Sequence, residues 1–150
     1  MSLRSLTQTA LLAMALACPA AWAVDNVTTK NAPDLTTVRA ALKAKHYDVA
    51  LAELKPMLVM YQHPDVYNLM GFALRKTGDK QQAMTFYRKA LDFDPEHKGA
   101  LEYQGELFLE LGQPEQARAN LAKLAGLCPA GCEELDDLRE AIAHPPAPGG

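Results

Sequence analysis

The chain has 150 residues, enough for one ordinary domain or a short array of small repeats but not for two large enzyme domains. Its composition, 49% hydrophobic and 22% charged, is typical of a globular protein rather than a disordered one. The 15 Lys and Arg residues against 18 Asp and Glu residues give a net charge of -3, which argues against binding to nucleic acid through the phosphate backbone.

Residues 1–23 have the pattern of a secretory signal peptide. Arg4 precedes the apolar run from Ala10 to Ala17, and the small residues of Ala21-Trp22-Ala23 follow it. The run is shorter than the roughly 20 apolar residues that cross a membrane, and no later stretch reaches that length, so we expect no membrane span. The pattern therefore predicts a periplasmic or secreted protein whose mature chain begins at Val24.

Two other interpretations of this segment stay open. It could form a buried first helix, or Cys18 could be acylated, because Ala15-Leu16-Ala17-Cys18 loosely resembles a bacterial lipobox. Cleavage after Ala23 would remove Ser2 and Ser5, the only serines of the chain. A mature chain without serine excludes hydrolysis by a serine nucleophile.

From residue 64 onward the sequence repeats itself with a period of 34 residues. Apolar residues at helical spacing precede Gly78 and follow it as far as Asp94-Pro95, which predicts a helix, a tight turn and a second helix. The matching pairs are Gly71 with Gly105, Gly78 with Gly112, Ala83 with Ala117, Tyr87 with Leu121, Ala90 with Leu124, and Pro95 with Pro129.

This period and these residues closely resemble the tetratricopeptide repeat. The match is nearly complete from Asn68 to Pro95, looser from Lys98 to Pro129, and weakest in an earlier copy that contains Tyr47 and has Lys45 where glycine is usual. The resemblance implies an all-α fold, an α-solenoid of about three antiparallel helix-turn-helix repeats plus a C-terminal capping helix.

The predicted boundaries follow from these repeats. Leu135, Leu138, Ala141 and Ile142 form an apolar stripe after the last repeat, which is the pattern of a capping helix. The Pro- and Gly-rich end cannot pack, so we expect a disordered tail. The segments are a signal peptide at 1–23, an irregular leader at 24–33, repeats at 34–63, 64–97 and 98–131, a capping helix at 132–143 and a tail at 144–150.

The family resemblance also implies a concave groove, lined by exposed residues of each first helix, that binds a protein or peptide partner. The first repeat would add Arg39 and Lys43 to this groove. The family's groove positions in the second and third repeats correspond to Asp65, Asn68, Phe72, Arg75, Lys76, Glu102, Glu106, Leu109 and Glu110.

Charge patterning suggests how such a groove would choose its ligand. Glu102, Glu106 and Glu110 are four residues apart and predict an acidic stripe, beside a basic strip of Arg75 and Lys76. Phe72 and Leu109 would be the apolar anchors. The family's clamp for a C-terminal carboxylate needs basic residues where Glu102 and Glu106 stand, so we do not expect that ligand. An ordinary solvated surface is the alternative interpretation of these charges.

Cys128 and Cys132 form an even pair in a predicted exported protein, which favours a structural disulfide. A redox pair or a Cu(I) site is the alternative. The histidines are scattered without paired helical spacing and are expected to be solvated, so we predict no metal site, cofactor or catalytic residue. The predicted function is a non-catalytic adaptor or assembly factor. The alternative is a small thiol- or metal-handling protein that uses the two cysteines.

Overall fold

The computed structural model describes residues 32–147, which form seven α-helices and contain no strand. The predicted signal peptide, Cys18, most of the leader and the last three residues of the tail lie outside this range. The helices are α1 (Thr36–Lys43), α2 (Tyr47–Met60), α3 (Pro64–Lys76), α4 (Lys80–Phe93), α5 (Lys98–Glu110), α6 (Pro114–Leu127) and α7 (Glu133–Ala143).

The helices stack as an all-α solenoid, as the sequence predicted. Each helix packs on the next one in the chain, and α5 also packs on α3 and on α7. The 34-residue period is visible in the helix starts, at residues 64 and 98 for α3 and α5 and at 80 and 114 for α4 and α6. The helices α1, α3, α5 and α7 therefore form one inner layer, with α2, α4 and α6 outside it.

The turn inside each repeat is closed in the same way. Lys45, Gly78 and Gly112 occupy equivalent positions and have positive φ angles of 60°, 94° and 70°. Each turn has the paired hydrogen bonds of a Schellman motif, such as Gly78 N–H to the carbonyl of Arg75 at 3.1 Å and Asp79 N–H to that of Leu74 at 2.9 Å. Glycine adopts this conformation without strain, whereas Lys45 is strained there because its Cβ lies close to the backbone.

Close approach between helices requires glycine at two equivalent positions. A Cβ on Gly71 would lie 2.7 Å from Cε1 of Tyr87 in α4. A Cβ on Gly105 would lie 2.7 Å from Cδ1 of Leu138 in α7. Tyr87 and Leu138 are both fully buried. The first contact holds the second repeat together, and the second docks α7 against the third repeat.

The two cysteines lie where α6 meets α7. Their sulfur atoms are at disulfide-bonding distance, and the Cα atoms are 5.8 Å apart. Cys128 is buried in an apolar cluster with Leu101, Leu124 and Leu138. The described part of the tail, residues 144–147, is exposed, and residues 145–147 lie beside Leu109 and the α5–α6 turn.

Candidate binding groove

The inner layer of helices carries two adjoining cavities, of about 390 and 270 Å³. Both are lined by Arg39 of α1, Leu69 of α3 and Tyr103 of α5, so they form one continuous groove. The larger one, here the acidic cavity, is also lined by Asp65, Asn68, His97, Gly99, Glu102, Glu133, Glu134 and Asp137. The smaller one, here the aromatic cavity, is also lined by Leu42, Lys43 and Phe72.

One wall of the acidic cavity is held by a polar chain from α1 to α5. Asp65 Oδ1 lies 2.9 Å from His97 Nε2, and Asp65 Oδ2 lies 3.4 Å from the Arg39 guanidinium. His97 Nδ1 accepts the backbone N–H of Ala100 at 3.1 Å, so its proton resides on Nε2, which donates to Asp65. This hydrogen bond from His97 lowers the pKa of Asp65. Asp65 is therefore an ionised carboxylate that already has partners.

The adjoining wall has buried polar groups without partners. Glu102 is 6% exposed, and within residues 32–147 it forms no hydrogen bond or ion pair. Asn68 is 4% exposed, and its Oδ1 atom has no hydrogen-bond partner. Gly99 leaves room for this amide, because a Cβ there would lie 3.1 Å from Nδ2 of Asn68. Buried groups of this kind are uncommon in folded proteins.

Burial also changes the ionisation of Glu102. It raises the pKa of Glu102 to about 8, and the nearby carboxylates of Glu106, Asp137, Glu134 and Glu133 act in the same direction. Burial likewise raises the pKa of Tyr103 to about 12. The acidic cavity thus contains a carboxyl group that loses its proton near pH 8.

The aromatic cavity is built on a ring contact between helices. The ring centroids of Phe72 and Tyr103 lie 4.8 Å apart, and Tyr47 packs edge-on against Phe72 at 6.5 Å. The ammonium of Lys76 lies 5.2 Å from the Phe72 ring centroid. Partly exposed rings flanked by lysine side chains offer both apolar and polar contacts to a ligand.

Beyond the aromatic cavity, the groove charges pair with each other. The guanidinium of Arg75 contacts Glu106 and lies 2.7 Å from Glu110, and Lys80 lies 3.5 Å from Glu110. Burial of Arg75 alone would lower its pKa, but the carboxylates of Glu106 and Glu110 raise the pKa overall. Two acids of the predicted stripe therefore pair with Arg75 of the predicted basic strip across the α3–α5 contact, whereas Lys76 lies over the Phe72 ring.

The expectation that the nine groove residues are exposed is wrong for four of them. Asn68, Arg75, Glu102 and Leu109 are buried, at 4–9% exposure. The cause is the side-by-side packing of α3, α5 and α7, which covers the sides of each first helix. The structure brings Asp65, Asn68 and Glu102 together in the acidic cavity and leaves Phe72 in the aromatic one. Their role in binding remains a prediction.

Sequence reasoning missed Tyr103 and the three α7 acids that line the groove. A usable signal existed, since the 34-residue register also runs through α7. Leu69, Tyr103 and Asp137 share one register position, and Asp65, Gly99 and Glu133 share another. All six line the acidic cavity. The predicted cap is thus also a first helix of the groove.

Two histidines differ from the expectation that they are solvated. His63 and His97, 34 residues apart, are the N-caps of α3 and α5, and their rings accept backbone N–H groups. The His97 side chain is only 12% exposed. Among residues 32–147 no three His, Cys, Asp or Glu side chains are arranged to hold a metal ion.

Comparison with known proteins agrees with this architecture. A family model described as tetratricopeptide repeat matches residues 64–97, and a second with the same description matches residues 100–130. These ranges coincide with α3–α4 and α5–α6. The chain belongs to the tetratricopeptide repeat family. Its repeats are protein-interaction modules, which implies protein partners.

A curated relative extends this likeness. The chain is 32% identical over 77 residues to the BBSome complex member BBS4 of Bos taurus, a match that covers 51% of this chain and 15% of the relative. The chain therefore corresponds to a small part of that protein. None of the helices within residues 32–147 has both the length and the apolarity needed to cross a membrane.

Proposed function

We propose that this tetratricopeptide repeat protein is an exported, non-catalytic adaptor that binds a polypeptide segment of a partner protein in its groove. The observation that carries the proposal is the continuous groove, in which an acidic and an aromatic cavity share Arg39, Leu69 and Tyr103. A groove of this composition offers apolar contact beside charged groups, which suits a peptide better than a small apolar ligand.

Two further observations support the proposal. The relative is named as a member of a complex, which is the setting in which an adaptor acts. The N-terminal pattern from Arg4 to Ala23 is that of a secretory signal, which supports export to the periplasm or secretion.

The competing function, thiol or metal handling by Cys128 and Cys132, has less support. A reactive thiol needs access to solvent, whereas Cys128 lies 6% exposed in the apolar cluster at the α6–α7 junction. The cysteine pair fits a structural staple that fixes α7, and thereby Glu133, Glu134 and Asp137, against the groove.

Site-specific photo-crosslinking in cells that export the full chain tests the adaptor function. A photoreactive residue in place of Lys43, which lines the aromatic cavity, should form covalent adducts with a partner protein. The matched position is Lys123, exposed on the outer helix α6, which should form none. The mature chain in each adduct should begin at Val24.

Equal adducts from both positions, or adducts from Lys123 alone, would place the interaction outside the groove. A mature chain that retains Trp22 would contradict the proposed export, whereas a lipid on Cys18 would place the adaptor at a membrane surface.

A further inference from the structure

The acidic cavity contains two acceptor groups that the fold itself does not use. Glu102, which is 6% exposed, and the Oδ1 atom of Asn68, which is fully buried, line the same cavity and have no hydrogen-bond partner within residues 32–147. The nearby carboxylate of Asp65 has its partners in His97 and Arg39, so unpaired acceptors are not a general feature of this wall. The Oδ1 atom of Asn68 and the ionised carboxylate of Glu102 can only accept hydrogen bonds, and therefore they call for a donor.

The charge of the cavity specifies the kind of donor. Five acids line the cavity, and Arg39 is the only lysine or arginine among the described residues that line it. Arg39 lies at the rim, with 56% of its side chain exposed and its guanidinium on Asp65. The acids do not converge as metal ligands, since residues 32–147 contain no such group of three. An extended organic cation with several N–H donors suits carboxylates that are spread around a cavity of about 390 Å³.

We propose that the acidic cavity binds one basic side chain, lysine or arginine, of the partner polypeptide, with Glu102 as its counter-ion and Asn68 as a second acceptor. The proposal rests on the adaptor function proposed above, because it places the neighbouring residues of the same polypeptide in the aromatic cavity. Arg39, Leu69 and Tyr103 join the two cavities, so one extended segment can occupy both.

Occupancy of the cavity is coupled to the proton on Glu102. Because its pKa is about 8, Glu102 is mostly protonated at pH 7, and the basic side chain binds its ionised form. The affinity should therefore rise about tenfold from pH 7 to pH 9, a range in which lysine and arginine stay largely charged. The other charged or titratable groups around Glu102 are Arg39 of α1, Asp65 of α3, His97 at the start of α5, Tyr103 and Glu106 of α5, and Glu133, Glu134 and Asp137 of α7.

Four peptide libraries test the proposal on the full chain. All are acetylated nonapeptides with neutral residues randomised at eight positions and a fixed central Lys, Arg, Gln or Glu. The immobilised chain should retain the Lys and Arg libraries at least tenfold better than the Gln library, and the Glu library least. Glu102→Gln should reduce Lys and Arg retention to the level of Gln and remove the rise from pH 7 to pH 9. The matched control is Glu115→Gln, an exposed acid on α6 that should leave retention unchanged.

Several results would overturn the proposal. They are equal retention of the Gln library, full retention by the Glu102→Gln variant, or no retention of any library. Acetyl-arginine amide and putrescine serve as free cations, and if either competes as well as the peptides do, the cavity binds a small cation rather than a partner side chain. Groove adducts at Lys43 together with charge-independent retention would leave the adaptor function intact and refute only the basic-side-chain site.

Discussion

The acids of α5 illustrate two ways in which one helix face can carry charge. Glu106 and Glu110 surround the buried guanidinium of Arg75, so their charges are neutralised within the fold. Glu102, one turn earlier, is more buried than either and has no cation beside it. The first arrangement joins α3 to α5, whereas the second leaves a carboxyl group available for a ligand. Glutamates at equal spacing therefore serve two purposes on α5. Glu106 and Glu110 stabilise the contact with α3, whereas Glu102 is a candidate binding group.

Removal of Arg75, the cation shared by Glu106 and Glu110, should have the largest effect on stability. It would leave these two acids without their main partner, as Glu102 already is. Arg75→Met leaves Glu106 and Glu110 partly buried without their main partner. We expect a loss of about 3 kcal/mol in the free energy of unfolding at pH 7, measured by urea denaturation. Arg39→Met removes an exposed guanidinium at 3.4 Å from Asp65 and should cost less than about 1 kcal/mol. Similar losses for both variants would show that the Arg75 network is no more than a surface ion pair.

Neutralising Glu102 and Glu106 one at a time should change the free energy of unfolding in opposite directions. The raised pKa of Glu102 means that the folded state holds this proton more tightly than the unfolded chain does. Its contribution to stability is complete below about pH 4.5 and is lost as the pH rises through about 8. Glu102→Gln should therefore nearly match the wild type at pH 5 and be the more stable of the two at pH 9.

Glu106→Gln is the matched variant for that experiment. It removes a partner of Arg75 and should lower the free energy of unfolding at pH 7 by roughly 1 kcal/mol. Urea denaturation of both variants at pH 5, 7 and 9 measures these differences. A wild-type stability that does not fall between pH 5 and pH 9 relative to Glu102→Gln would contradict the burial of an unpaired Glu102.

The smallest effect concerns the contact that brings α7 to Glu102. Gly105→Ala places a Cβ 2.7 Å from Cδ1 of Leu138 and should push α7 outward. Alanine also favours the helix by about 1 kcal/mol over glycine, so we expect a net loss of only about 1 kcal/mol in thermal unfolding. Gly126→Ala in α6, where no neighbouring atom lies within 4 Å, should instead stabilise the protein slightly. Equal gains for both variants would mean that α7 does not pack against Gly105.

The fold could be predicted from the sequence because its determinants are local. The 34-residue period, Gly78 and Gly112 in the turns and the apolar helix faces all reflect contacts within a repeat or with its neighbour. Lys45, placed where glycine is usual, does adopt the left-handed conformation of the other turns. The repeat pattern therefore predicted the turn geometry even where a lysine, which is strained at positive φ, replaces glycine.

The site could be predicted only in part, because burial depends on contacts between repeats. Spacing placed Glu102, Glu106 and Glu110 on one face, but it could not show that Arg75 of another helix neutralises two of them. Glu133 and Glu134 of α7 also suit the first turn of a helix, so the sequence did not show that they lie near Glu102. Tyr103 lies outside the predicted face because the groove includes the side of α5 that faces α1 and α3.

The strained turn at Lys45 also determines where the array opens first. A solenoid separates from its ends, since each helix is held only by its neighbours. At one end of the described helices α1 has only eight residues and adjoins the turn with the left-handed lysine, while at the other end Leu138 and the cysteine pair hold α7 in place. Amide hydrogens of α1 should thus exchange with solvent sooner than those of α5. Arg39, Leu42 and Lys43 belong to α1, so detachment of this helix would remove one wall of the aromatic cavity. Glu102 and Asn68 lie on other helices and would stay in position.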